Sequence, residues 1–228
     1  MKLSRLSGKA AGASLSASPK AAVMTIALSD TGKRFNREWI FRNLSYTFHA
    51  GHSYAVTGPN GSGKSTLLQA VAGALTTSAG KISYTLQGQA IDSEKAYLHL
   101  SIAAPYLELI EEMTALELLS FHEKFKALLP GIDKIGILQE VGLEKAAGKQ
   151  IRFFSSGMKQ RLKLAQAIFS DTQVLLLDEP CTNLDAAGIK VYQELITRFS
   201  AKRLVIVSSN DPQEYGMCKE EVKIMEYK

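Results

Sequence analysis

One glycine-rich stretch combines a lysine with hydroxyl side chains in a spacing that suits phosphate binding. It fits the pattern G-x-x-x-x-G-K-[ST] and consists of Gly58, Pro59, Asn60, Gly61, Ser62, Gly63, Lys64, Ser65 and Thr66. Glycines let such a loop curl so that its N–H groups point inward, where they and the start of a following helix attract an anion. Lys64 would then reach the outer phosphates of a nucleotide, and the Ser65 hydroxyl would ligate Mg²⁺.

The segments on both sides of this loop are those that a phosphate-binding loop requires. Apolar residues at 53–57 predict a buried strand before it, and Leu67, Leu68, Val71 and Leu75 predict a helix after it. A glycine-rich turn that fits the pattern by accident is the alternative interpretation. The flanking strand and helix weaken that alternative.

Two carboxylates end a second apolar segment, residues 174–178, which also predicts a buried strand. If this strand runs parallel beside strand 53–57, Asp178 would lie near the Mg²⁺ site and act on the metal through a water or hydroxyl. Glu179 would then orient an attacking water as a general base. A helix cap or a solvated loop is the alternative role for two acids at this position.

A third motif, residues 154–161, reads Phe-Ser-Ser-Gly-Met-Lys-Gln-Arg and leads into a helical pattern. With the phosphate loop before it and the acid pair after it, the chain resembles the nucleotide-binding subunit of ABC transporters over residues 24–228. The motif is similar to that family's signature, L-S-G-G-Q-x-Q-R. Its Ser-Ser-Gly-Met sequence is similar to the signature of ATPases that are paired with ABC-2-type or haem-exporter-like permeases.

The resemblance implies a head-to-tail dimer that binds ATP and Mg²⁺ and serves an integral membrane permease. Each nucleotide would lie between the phosphate loop of one subunit and the signature of the other, here Ser155, Ser156, Gly157 and Met158. A helix that begins at these residues would attract the γ-phosphate. Asp185 matches the family's D-loop, which joins the two sites. Phe35 matches the aromatic residue that stacks on the adenine, with Trp39 as the second choice.

Two departures from the family pattern bear on the reaction. The family usually has a Gln at the entry to its helical insertion, but residues 102–107 read Ile-Ala-Ala-Pro-Tyr-Leu. The family also usually has a His that contacts the γ-phosphate, and Asn210 stands at that position. Losing one transition-state donor typically lowers a rate by about 10²–10³. The sequence therefore predicts slow or partner-dependent hydrolysis.

The order of elements predicts an α/β fold of the P-loop NTPase type. Apolar strands without internal alternation favour a mostly parallel central sheet that is covered on both faces. Strands predicted before the phosphate loop, with turn signals at residues 30–32 and 50–51, indicate an antiparallel β subdomain on the N-terminal side. A mostly helical insertion is expected at about residues 105–150, starting with a capping box at Thr114 and Glu117. Further strands are expected at residues 97–102 and 222–225.

Composition bounds the other function classes. The 228 residues carry a net charge of +5, of which residues 1–23 hold +4, because they contain Lys2, Arg5, Lys9 and Lys20 and no acid. The remaining +1 gives no reason to expect a nucleic-acid partner. Residues 1–23 are expected to be a disordered tail. They resemble an organellar transit peptide, or they are an upstream extension of the reading frame before Met24.

Two function hypotheses remain open on the sequence. The leading one is an ATPase subunit, in the cytoplasm at the inner face of the membrane, that drives a permease as a homodimer. The alternative is a nucleotide-gated clamp that binds ATP and a partner with little hydrolysis. The chain has two cysteines, Cys181 and Cys218, and their spacing is not that of a disulfide framework. This favours a reducing compartment.

Overall fold

The computed structural model describes residues 23–228. The tail predicted for residues 1–23 therefore lies outside the described residues, apart from Val23. The described part contains two β-sheets, one antiparallel and one parallel, together with helices. None of these helices within residues 23–228 has the length and apolar character needed to cross a bilayer.

The antiparallel sheet is built around one long hairpin. Its strands are β1 (Met24–Phe35), β2 (Glu38–His49), β4 (Ala79–Leu86) and β5 (Gln89–Ile91), in the order β2-β1-β4-β5. The turn signal at residues 30–32 does not end a strand. It lies inside β1, where the register with β2 shifts and Asp30 has a φ of 47°. A bulge absorbs the turn-forming residues because an extra residue can leave the ladder without ending it.

The second sheet carries the loops of interest. Its strands are β3 (Ser53–Thr57), β6 (Leu100–Ala103), β7 (Val174–Asp178), β8 (Leu204–Ser208) and β9 (Glu220–Lys223). Their order is β6-β7-β8-β3-β9, and every neighbouring pair is parallel. The predicted α/β class with a parallel central sheet and a separate antiparallel sheet is thus confirmed.

Two predicted strands have the wrong bounds. Residues Ser93–His99 form a 3₁₀-helix, so the strand expected at 97–102 begins only at Leu100. This helix forms because the Asp92 side chain accepts a hydrogen bond from Glu94 N, a local cap that apolar patterning does not reveal. At the other end, β9 stops at Lys223 and residues Ile224–Tyr227 form another 3₁₀-helix.

Helices cover both faces of the parallel sheet. They are α1 (Lys64–Val71), α2 (Ala115–Glu123), α3 (Lys134–Glu140), α4 (Ser156–Ile168), α5 (Ala186–Phe199) and α6 (Pro212–Tyr215). The capping box at the start of α2 is confirmed, because Thr114 and Glu117 bond reciprocally. Short 3₁₀ turns follow α3 at Glu144–Ala146 and Ile151–Phe153.

Two apolar cores lie on opposite faces of the parallel sheet. On β7, Leu175 and Leu177 belong to the core shared with α2–α5, whereas Val174 and Leu176 belong to the core shared with α1 and the antiparallel sheet. Burial on both faces explains why β7 is apolar at successive positions. The carboxyl ends of β3, β7 and β8 are left at one edge of the sheet, and the predicted site residues follow these ends.

Candidate nucleotide site

The phosphate loop lies between β3 and α1, as a phosphate-binding loop requires. Residues Asn60–Thr66 line a cavity of about 200 Å³, which Ile40 and Glu179 complete. Helix α1 begins at Lys64, so its free N–H groups face this cavity. Among the sequence-predicted residues, the structure thus brings Glu179 together with Lys64, Ser65 and Thr66.

The antiparallel sheet holds the phosphate loop in place. Gly63 has a φ of 101°, and a Cβ added to it would lie closer than 3.0 Å to Cγ2 of Ile40 on β2. A backbone with this φ strains any residue that has a Cβ. Both the conformation and the contact therefore require glycine at this position of the loop.

Lys64 lies inside the loop that it follows. The residue is only 4% exposed, and its Nζ donates hydrogen bonds to Gly58 O at 2.8 Å and Pro59 O at 3.3 Å. Carbonyl oxygens carry only partial charge, and a buried ammonium is stable when it is compensated by an anion. The arrangement therefore suits a phosphate group.

Three buried polar atoms near this edge of the sheet have no hydrogen-bond partner among residues 23–228. They are Ser62 Oγ, Asp178 Oδ1 and Ser208 Oγ. Unpaired buried polar atoms are costly, so such a group at a site points to a ligand or ion that satisfies it. A carboxylate oxygen of this kind is the ligand type that Mg²⁺ prefers.

The expected neighbour relation of the two site strands was wrong. Strand β7, which ends at Asp178, does not lie beside β3, because β8 pairs with both and separates them. The chain returns through α5 and places β8 in the gap. Asp178 nevertheless stays at the same sheet edge, because parallel strands all end there.

Glu179 and Asn210 approach the phosphate loop from β7 and β8. Glu179 lines the cavity and has a φ of 43°, which is unusual for a residue with a side chain. Asn210 binds the loop directly: its Oδ1 accepts from Gly58 N at 3.3 Å, and its Nδ2 donates to Asn60 Oδ1 at 2.9 Å. Asn210 is therefore bonded to the phosphate loop of its own chain.

Of the two candidate aromatic residues, Phe35 lies at the end of β1, where it pairs with Glu38 across the hairpin turn. The register shifts just before this pair, and Ile40, whose Cγ2 faces Gly63, lies at that irregularity of β2. The Phe35 ring is 49% exposed, with the ammonium of Lys33 at 5.0 Å from its centroid. Trp39 pairs with Arg34, the neighbour of Phe35, so its side chain points to the face of the hairpin opposite to that of Phe35.

The signature residues line a different cavity. This cavity, of about 570 Å³, includes Ser155, Ser156, Gly157 and Met158, together with Asn183 and Asp185. Ser155 caps α4, since its hydroxyl accepts from Met158 N at 3.3 Å. The start of α4 is therefore available to an anion, and none of the residues that line the phosphate-loop cavity lines this one.

Asp185 links the signature helix to the segment after Glu179. Its Oδ1 accepts from Gly188 N at 2.8 Å, and Arg161 Nη2 of α4 lies 3.2 Å from the same oxygen. The hydrogen bond from Gly188, followed by the charge of Arg161, lowers the pKa of Asp185. Asp185 thus caps α5 and lies in the cavity of the signature.

Tyr106, which the sequence did not single out, lies in the segment where the family usually has a Gln. It follows β6 by three positions, in a turn closed by a hydrogen bond from Leu107 N to Ala104 O at 3.2 Å. Lys163 of α4 holds this turn by donating to Pro105 O at 2.9 Å. Burial and then the nearby charge of Asp178 raise the pKa of Tyr106 to about 12. The sequence signal that could have identified Tyr106 is its phenol group, a hydrogen-bonding side chain within residues 102–107.

The fold and the loop define the class: this is a P-loop NTPase. Comparisons with known proteins then give the family. The family model described as ABC transporter matches residues 41–182. The ATP-binding protein YybJ of Bacillus subtilis, named as an uncharacterized ABC transporter protein, is 30% identical over 183 residues, covering 80% of this chain and 83% of its own. This chain belongs to the ABC transporter family, as an ATP-binding subunit.

Other relatives are larger than the aligned region. The Nod factor export ATP-binding protein I of Neorhizobium galegae is 35% identical over 172 residues, which cover 74% of this chain and 50% of that protein. Among solved structures, a putative ABC transporter ATP-binding protein from Pyrococcus furiosus matches with a TM-score of 0.74 at 20% identity, over 89% of this chain and 98% of that one. The dimeric cassette MJ0796 matches with a TM-score of 0.73 at 20% identity, over 87% and 94%.

Proposed function

We propose that this subunit hydrolyses ATP in a head-to-tail dimer and thereby drives a membrane permease. One observation carries the proposal. The phosphate-loop residues and Glu179 line one cavity, and the signature residues line another in the same chain. Two half-sites on separate surfaces become two complete sites when a second copy is added in the opposite orientation.

The residues at the phosphate-loop cavity have different proposed roles in ATP hydrolysis. Lys64 would exchange its carbonyl partners for the β- and γ-phosphates, and the N–H groups of the loop would hold the same anion. Glu179 would orient the attacking water and accept its proton. Ser65 and Asp178 are the proposed ligands of Mg²⁺, which supplies charge neutralisation when bound. The unpaired Asp178 Oδ1 supports that assignment.

The second subunit would complete each site through the start of α4. Ser155 and the N–H groups of Ser156 and Gly157 would approach the γ-phosphate of the partner's nucleotide, because a helix N-terminus favours an anion. Asp185 lies in the same cavity and would join the two sites. Phe35 would carry the adenine on its exposed ring.

Transport requires a permease, which would contact the segment at about residues 105–150. We propose that this segment is a helical subdomain within an ATPase domain of residues 24–228, and that the subunit works in the cytoplasm at the inner face of the membrane. The segment begins with the turn held by Lys163, and Tyr106 of this turn is within reach of the charge of Asp178. A movement of the permease against this segment would therefore be transmitted to the nucleotide site through this turn.

Turnover of the isolated protein should be slow. Asn210 is neutral and is already engaged with the phosphate loop, so it offers less to the γ-phosphate than an imidazolium would. Asn210→His should raise the rate of phosphate release. A lower rate in this variant would show that Asn210 belongs to a rebuilt site and would refute this explanation.

The direct test compares phosphate release by wild type and by Glu179→Gln. Removing such a base typically costs about 10²–10⁴ in rate. Glu194→Gln, an exposed change on α5, is the matched control and should behave like wild type. Equal background rates in wild type and Glu179→Gln would contradict the ATPase and favour a nucleotide-gated clamp.

A further inference from the structure

The turn that follows β7, defined here as residues 179–184, has an unusual backbone. Glu179 has a φ of 43° and Asn183 a φ of 65°. Asn adopts this left-handed conformation readily, whereas for Glu it is uncommon and costs free energy, so surrounding contacts must hold Glu179 in it. The direction of the Glu179 side chain depends on this backbone, so the contacts that fix the turn also aim the carboxylate.

Two buried side chains from outside the turn bond to its backbone. Gln160 Nε2 donates to Pro180 O at 2.8 Å, and Cys181 N donates to Glu214 Oε1 at 2.7 Å. Gln160 is 3% exposed and Glu214 is 5% exposed. These bonds fix both sides of the peptide that joins Pro180 to Cys181, which is the second peptide after Glu179.

The two side chains come from elements that carry other parts of the site. Gln160 lies on α4, whose first residues are the signature. Glu214 lies on α6, which starts two residues after Asn210, and its backbone O accepts from the buried Tyr192 hydroxyl at 2.7 Å. The turn is thus held between the signature helix and the segment of Asn210.

We propose that Gln160 and Glu214 are positioning residues for hydrolysis, because together they hold the turn in the conformation that aims Glu179 at the phosphate-loop cavity. This inference rests on the proposed function, in which Glu179 orients the water. Neither side chain lines that cavity, so their removal should leave ATP binding intact and slow only the chemical step. A misplacement of about 1 Å is enough to cost about 10²-fold in rate.

The test uses substitutions that remove each bond while keeping the volume. Gln160→Met and Glu214→Met should lower kcat at least tenfold, with the Kd for ATP and the KM within about twofold of wild type. Glu214→Gln keeps an acceptor oxygen and should stay within about threefold of the wild-type kcat. Gln160→Asn shortens the side chain and withdraws the amide from Pro180 O without adding apolar surface, so it should also lower kcat at least tenfold. This variant provides the test if a Met variant does not fold.

Two controls separate positioning from general stability. Ser101→Ala removes a buried hydroxyl that accepts from Arg203 at 2.8 Å, away from the turn, and should lower the melting temperature without changing kcat. In the Glu179→Gln background, Gln160→Asn should cause no further loss of rate, because no carboxylate is left to aim. This absence of an additional loss supports the proposal, since general damage would lower the residual rate again.

Several results would overturn the inference. One is an unchanged kcat in folded Gln160→Asn and Glu214→Met. Another is a loss of kcat in Ser101→Ala as large as theirs, which would assign them a structural role. If wild type releases phosphate no faster than Glu179→Gln, the proposed function itself fails and the inference falls with it. That comparison is measured first, so the two failures are distinguishable.

Discussion

Substitution of Gly63 by Ala tests the phosphate loop most sharply, because the structure gives two separate reasons for a cost. The left-handed backbone, with its φ of 101°, costs a residue with a Cβ about 1–2 kcal/mol. Overlap of the new methyl group with Ile40 Cγ2 adds an overpacking cost of about 1–3 kcal/mol. Together the free energy of unfolding should fall by about 2–5 kcal/mol.

Two companion variants divide this cost. Gly61→Ala also places a side chain at a positive φ, 76°, but its Cβ would meet no atom of the described part of the chain within 4 Å, so only the backbone cost of about 1–2 kcal/mol applies. Ile40→Ala removes the methyl group that collides with the new Cβ. In that background, Gly63→Ala should cost about 1–3 kcal/mol less than it does beside Ile40.

The assay is urea unfolding of the four variants, with ATP affinity measured by calorimetry in parallel. Gly63→Ala should lower ATP affinity at least tenfold, because the loop backbone can no longer direct its N–H groups at the phosphate. The reasoning is refuted if the effects of Gly63→Ala and Ile40→Ala on unfolding are additive, since the collision would then be absent. It is also refuted if Gly61→Ala costs as much as Gly63→Ala.

The other predictions concern the nucleotide contacts and a buried acid. Lys64→Met should lower ATP affinity at least a hundredfold, since hydrogen bonds from a charged donor contribute about 1.5–3 kcal/mol each, and it should not lower the melting temperature; unchanged affinity in calorimetry would exclude this site. Phe35→Ala should cost about 1–3 kcal/mol of ATP binding, whereas Trp39→Ala should stay within about twofold; the reverse order would assign the stacking to Trp39. Burial is the main cause that raises the pKa of Glu214 above its ordinary 4.5, so its contribution to stability is present below pH 4.5 and is lost as the pH rises through the folded value. The melting temperature of Glu214→Gln minus that of wild type should therefore increase above pH 4.5, and a constant difference would contradict that burial.

The parts of the fold that local patterns determine could be predicted from the sequence. The phosphate loop, the buried strand before it and the helix after it follow from glycine spacing and apolar periodicity, although α1 ends at Val71 and leaves Leu75 outside the predicted helix. The capping box of α2 is equally local, since Thr114 and Glu117 satisfy each other. The apolar run of β7 predicted burial on both faces, which the two cores confirm.

The parts that depend on tertiary contacts could not be predicted. The placement of β8 between β3 and β7 is a question of chain path, and nothing in the residues of β7 records it. The side chains that reach the site across the fold were missed for the same reason. Gln160 and Glu214 bond to the backbone of the turn after β7, and neither bond leaves a pattern in nearby sequence.

The central claim is that each ATP site is divided between two copies of this chain. Complementation between two inactive variants tests it most directly. Lys64→Met removes the phosphate contact of one half-site, and Ser156→Arg fills the cavity of the other. Each variant alone should release phosphate at the rate of Glu179→Gln, whereas an equal mixture should exceed the sum of the two, because mixed dimers contain one intact site. A mixture that is no faster than its separate components, although mixed dimers form in ATP, would contradict the account.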